Sequence, residues 1–181
     1  IERSLWKRLG GFPEWFESIG EDLYLCCAAR LAGLPVQSLQ KSGYRHRQGG
    51  SFGGNKPQNG KLASNYRRRR FSERNKTFTL FVMTPTAVMW PLLLTHLLAL
   101  MTEGLFLSLL RLDLRVGNQV YFNVLRELAL KRPKLKAERQ KYQPFRLITL
   151  HRYIERFSFR PHKLTMLIRY GLPKLTQSPT P

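Results

Sequence analysis

Residues 78–101 contain no Asp, Glu, Lys or Arg, and His96 is their only titratable side chain. A helix of about 20 apolar residues matches the thickness of a bilayer core. Pro85 and Pro91 interrupt the run, because proline removes an N–H donor and clashes with the preceding turn. Leu92 to Leu112 continues in Leu and Phe, with Glu103 and Gly104 in its middle. Directly upstream stands Tyr66-Arg67-Arg68-Arg69-Arg70-Phe71-Ser72-Glu73-Arg74-Asn75. A long apolar segment broken by prolines and flanked by arginines has three outcomes: an interfacial or re-entrant helix, a membrane span, or a buried hairpin. The arginines read as a solvated face, as the cytoplasmic flank of a membrane segment, or as a nucleic-acid contact. The uncharged neighbour favours the membrane flank, and no nucleic-acid partner is expected.

Charge supports the same direction. Lys and Arg number 31 and Asp and Glu 11, so the formal net charge is 31 − 11 = +20. Such a chain suits a polyanion, an anionic lipid surface or an anionic substrate. It is also 43% hydrophobic and 12% aromatic, which excludes a disordered basic tail. Cys26 and Cys27 are adjacent, a spacing that disfavours a bridge between them, and they read as small buried residues of a reducing compartment. No secretory signal pattern opens the sequence.

Along the chain, Leu5, Trp6, Leu9, Phe12, Trp15 and Phe16 are spaced for a short amphipathic helix and a turn. Gly10-Gly11 ends the helix and Phe12-Pro13-Glu14 turns the chain. Asp22 to Ala32 is apolar nearly all round and reads as a buried helix, with Gly33 as its C′ residue and Pro35 forbidding continuation. Residues 34–39 read as a short strand, and 49–65 as a Gly, Ser, Asn and Lys-rich loop. Lys131 to Lys141 is a basic helix or linker entered near Pro133. From Phe145 to Leu175, basic residues alternate with aromatics and aliphatics, as suits a membrane surface.

The acidic pair Glu21-Asp22 lies behind Gly20 at the start of the buried helix. A carboxylate there is favoured by the helix dipole by about 0.3–1 kcal/mol and stays ionised. It is a suitable general base toward a hydroxyl. A purely structural reading also exists: Ser18-Ile19-Gly20-Glu21 matches a capping box, in which Glu21 merely closes the helix start.

The segment Gly10-Gly11-Phe12, followed by Gly20-Glu21-Asp22, Leu23 and Leu25, and then Arg30 and Gly33, resembles the C-terminal half of the catalytic domain of family 2 glycosyltransferases, the inverting GT-A enzymes. The likeness covers 1–55 and extends more loosely to Arg74-Asn75, as in rhamnosyltransferase-like members. Tyr24 stands where many members carry a third acid. The resemblance implies that Asp22 is the base that deprotonates the acceptor hydroxyl, with Glu21 beside it. It further implies that His46, after the base helix, helps to hold a Mn²⁺ or Mg²⁺ ion. The nucleotide-binding strands and an Asp-x-Asp element would precede Ile1, so this portion alone is expected to be inactive.

Gly49, Gly50 and Ser51 form a turn suited to presenting N–H groups to a phosphate, with Arg45 and Arg47 adding charge-assisted contacts. Trp15 and Phe16 have two readings, stacking on an acceptor sugar or core packing. The expected fold is an α/β fragment, predominantly helical: the C-terminal part of a GT-A domain over 1–56, a basic linker over 57–76, apolar membrane-associated helices over 77–130, and a basic helical tail over 131–181. The expected activity is hexosyl transfer from a nucleotide-sugar donor to a saccharide or lipid-linked acceptor, in cell-surface polysaccharide synthesis at the cytoplasmic face of the membrane. The alternative is a non-enzymatic basic protein that binds membranes or nucleic acid, with the acidic pair as a helix cap.

Overall fold

The computed structural model describes residues 1–38, 40, 41, 43, 57–58, 61–158, 162–172 and 174–176. The chain is predominantly helical. Helix α1 (Arg3–Arg8) is followed by a 3₁₀ turn at Glu14–Phe16 and by α2 (Glu21–Leu31). Strands β1 (Pro57–Gln58) and β2 (Lys61–Asn65) pair antiparallel, with Pro57 opposite Leu62. Then come α3 (Tyr66–Met83), α4 (Thr86–Arg111) and the single turn α5 (Leu114–Val116). A π-helical segment, Gly117–Phe122, runs on into α6 (Asn123–Leu130). Helices α7 (Arg132–Tyr142), α8 (Leu150–Ile154) and α9 (His162–Tyr170) follow. Strand β3 (Lys174–Thr176) lies parallel to β2.

Helix ends follow local chemistry. Helix α2 closes with Gly33 at φ 73°. The Leu34 N–H donates to Ala29 O at 2.9 Å and the Gly33 N–H to Arg30 O at 2.9 Å, the double bond of a Schellman end. Helix α3 opens on Asn65, whose Oδ1 accepts from the Arg68 N–H at 2.7 Å. It ends at Met83 because Thr84 precedes Pro85 and is driven to extended backbone, φ −75° and ψ 133°. The proline break therefore makes two helices, α3 and α4, out of one long apolar run. The carbonyls left open at the end of α3 are taken up from α7: Arg139 Nη1 donates to Phe81 O at 2.6 Å and Thr84 O at 2.8 Å, and Gln143 Nε2 donates to Val82 O at 3.0 Å.

Two apolar cores result among the described residues. The larger gathers Leu9, Phe16, Tyr24, Leu31, Phe78, Val82, Leu93, Leu135 and Tyr142, so α2, α3, the start of α4 and α7 enclose it. The smaller joins Leu100 and Leu107 of α4 to Val116, Val120, Tyr121 and Val124. Gly104 permits that second packing: a Cβ there would lie 2.7 Å from Tyr121 Cβ.

Several expectations change. The strand expected over 34–39 does not form over 34–38; a strand needs a ladder, and among the described residues none runs beside it. The basic linker expected over 57–76 is helical from Tyr66 onward, because the apolar positions Phe71, Phe78 and Val82 continue one face of α3 into the core. The basic tail from 131 is not peripheral at its start: Leu135 is buried and Tyr142 Oη donates to Leu9 O at 2.9 Å.

Candidate functional site

The backbone that leads into Glu21 and Asp22 is strained. Glu17 and Ile19 have φ of 65° and 69°, a region that disfavours side chains and β-branched ones most. Gly20 follows at φ 91° as the helix N-cap residue, where its missing Cβ relieves the same conflict. Strain of about 1–3 kcal/mol per residue persists only where surrounding structure over-determines it.

That structure is the pair Arg74-Asn75 on α3. Both side chains are buried, at 2% and 0% exposure. Asn75 Nδ2 donates to three carbonyl oxygens, those of Phe16 at 3.1 Å, Ser18 at 2.8 Å and Ile19 at 2.7 Å. Arg74 Nη2 donates to Phe16 O at 2.7 Å, Nη1 pairs with Glu17 Oε1 at 2.8 Å, and Nε donates to Asn75 Oδ1 at 2.9 Å. The guanidinium stacks over the Phe71 ring at 4.6 Å. The Phe16, Ser18 and Ile19 carbonyls and the Glu17 carboxylate thus meet donors from α3, which hold the loop in its strained conformation.

At the exit of this clamp the two acids diverge. Asp22 is exposed, and its Oδ1 accepts from the Leu23 N–H at 2.8 Å. Glu21 is half-buried, and its Oε2 is enclosed with no hydrogen-bond partner among the described residues. The capping box is not formed: Gly20 is the N-cap and no side chain bonds there. Carboxylates are hard donors of the kind that Mg²⁺ or Mn²⁺ takes, and Glu21 has one oxygen unused. Among the described residues no group of three His, Cys, Asp or Glu is arranged as a metal site. His46, Arg45, Arg47, Gly49, Gly50 and Ser51 lie outside the described residues.

The aromatic candidates separate. Phe16 is 0% exposed, so its ring has no face for a ligand; it is core, packed edge-on to Tyr24 at 5.0 Å. Trp15 is half-buried and lines a cleft of about 330 Å³ together with Phe12, Tyr24, Lys134, Glu138 and Tyr142. Lys134 Nζ sits 5.5 Å from the Trp15 ring centre. Glu21 and Asp22 do not line this cleft. Tyr24, at the position of a third acid in the resemblance, is a core residue that ties α2 to α7: its hydroxyl donates to Glu138 Oε2 at 3.2 Å. Burial, with Tyr142 and Glu138, pushes that phenol well above its ordinary value. Cys26 and Cys27 are unbridged. Burial, reinforced by Cys26, pushes the Cys27 thiol up to about 11, which removes it as a thiolate nucleophile at neutral pH.

A second polar cluster escaped sequence reasoning. Glu73, 1% exposed, lies between α3, α4 and α9. Lys163 Nζ pairs with Glu73 Oε2 at 2.8 Å and with Glu103 Oε2 at 2.5 Å. Arg69 pairs with Glu73 at 3.4 Å and also with Glu103. Nearby, Thr77 Oγ1 and His96 Nε2 are hydrogen-bonded at 2.8 Å. The i,i+4 spacing of Arg69 and Glu73 was a visible signal; the partners 34 and 94 positions from Arg69 were not.

Compared with known protein families, with curated proteins and with solved structures, the chain gives no match.

Proposed function

We propose that this chain is the acceptor-side part of an inverting glycosyltransferase of the GT-A, family 2 type, working at an anionic membrane surface on its cytoplasmic face. The observation that carries the reading is the clamp: two buried polar residues of α3 hold a strained loop from which α2 begins with a half-buried Glu21 and an exposed Asp22. A helix start needing only a cap has no use for such a device.

In this reading the Asp22 carboxylate accepts the proton of an acceptor hydroxyl. The freed oxygen forms a bond to the anomeric carbon of a sugar nucleotide while the bond to the diphosphate oxygen breaks on the opposite face, so configuration inverts. Arg74 and Asn75 act through the loop, as positioning residues. His46 and Glu21 would be ligands of a divalent cation, whose chemistry is to offset charge on the departing diphosphate. Arg45, Arg47 and the turn Gly49-Gly50-Ser51 would face the donor phosphates. Trp15, which lines the cleft, would contact an acceptor sugar.

The test is to incubate the full-length protein with a panel of common sugar nucleotides and a lipid-linked or saccharide acceptor, following nucleoside diphosphate release and product configuration by NMR. The expected product carries the anomeric configuration opposite to the donor's. A retained configuration, or diphosphate release from none of the panel, contradicts the reading. The non-enzymatic alternative would then stand.

A further inference from the structure

Helix α4 is long and apolar enough to cross a membrane. Its two sides differ, however. Met89, Leu93, Leu100, Gly104 and Leu107 are buried against the fold, and His96 and Glu103 share their side. Trp90, Leu94, Leu98, Leu105 and Leu109 are exposed, Leu98 by 70%. Their spacing of four, four, seven and four residues places them on one face. The apolar row continues past the helix end in Leu112 and Leu114, both largely exposed. Only 28% of the most apolar window of α4 is buried in the fold.

We infer that α4 lies flat in the headgroup boundary of an anionic bilayer, with the Trp90–Leu109 face inserted, and does not cross it. This rests on the membrane-docked reading above and specifies how the docking is made. His96 and Glu103 decide against a crossing. They occupy the middle of α4 and are tied to Thr77, Arg69 and Lys163 of α3 and α9. A crossing α4 would carry this charged cluster, with Glu73 and the arginine run of α3, to the depth of the hydrocarbon. A helix of 26 residues is about 39 Å long, so laid flat it gives one continuous apolar footprint with His96 and Glu103 turned to the protein. Charge selects the occupant. Basic residues exceed acidic ones by 20, so an anionic leaflet attracts this molecule, whereas a second copy would repel it.

The test uses the full-length protein with Cys26→Ala and Cys27→Ala, spin-labelled singly at L94C, L98C, L105C and L109C. Vesicles are phosphatidylcholine with or without phosphatidylglycerol. The expected result is one shallow depth at all four positions, seen only with the anionic lipid. In unlabelled protein, Leu94→Glu with Leu98→Glu should lower vesicle binding about tenfold or more while helical circular dichroism is kept. Depths that run from one interface through the bilayer centre overturn the inference in favour of a span. Label–label broadening without vesicles overturns it in favour of a second copy. Labels unmoved by either lipid overturn it outright. Transfer to a soluble acceptor in detergent is a separate readout, so failure here and failure of the transferase reading are distinguishable.

Discussion

Asn75 serves three backbone carbonyls from one amide, sharing that of Phe16 with Arg74. Asn75→Ala takes that donor from the part-buried Ser18 and Ile19 carbonyls, leaves Phe16 O to Arg74, and opens a small void. We expect a loss of about 2–4 kcal/mol in unfolding free energy, read from the urea midpoint. Asp22 is the opposite case: exposed, with its Oδ1 bound only to its own helix start. Asp22→Asn should leave the midpoint within about 0.5 kcal/mol of the parent. The acids themselves were legible, because a glycine followed by two carboxylates before an apolar helix is a local pattern. The clamp was not. Arg74-Asn75 stood out only through a loose resemblance, since its partners lie more than 50 positions away and no local rule links them. Phe16 shows the same limit. Its burial depends on Tyr24 and Phe78, which no neighbour in sequence announces.

At the scale of elements, the α3–α4–α9 junction makes stability depend on pH. Burial would raise the Glu73 carboxyl, but Lys163, Lys76 and Arg69 outweigh it and hold the carboxyl below its ordinary range. Burial, with Lys163 and Lys76, holds the His96 imidazole below its ordinary value. Both folded values are depressed, so both contributions are complete above the unfolded values and decline as pH falls below them. The urea midpoint should therefore begin to drop below about pH 6.5, from His96, and drop further below about pH 4.5, from Glu73. Glu73→Gln should flatten the lower limb, and His96→Asn the upper. A midpoint constant from pH 7 to pH 4 contradicts this electrostatic account. Packing gives a second check: Gly104→Ala drives a methyl into Tyr121 and should cost about 1–3 kcal/mol. Helix boundaries were largely readable, through Gly33 and Pro85. The strand expected over 34–39 is absent over 34–38, because length and composition do not supply a neighbouring ladder. The β1–β2 pair lies within the 49–65 stretch expected as loop, where a Gly, Ser, Asn and Lys-rich composition hides short strands.

At the scale of the molecule, charge and apolarity are segregated by the fold. Basic residues that look like a uniform lipid-facing tail divide into those used internally, as Arg139 closes α3 and Lys163 closes the Glu73 cluster, and those left outside. That division was invisible in a one-dimensional count. The predominantly helical character was readable, because the long apolar run and its periodicity leave little else. The central claim is that Asp22 is the base of a sugar transfer, held by the clamp. It is tested most directly by steady-state kinetics of the full-length protein and its Asp22→Asn variant, with nucleoside diphosphate release as readout. The account predicts that kcat falls by about 10²–10⁴ while the donor KM and the unfolding midpoint stay near the parent's. A variant that transfers sugar at the parental rate contradicts it.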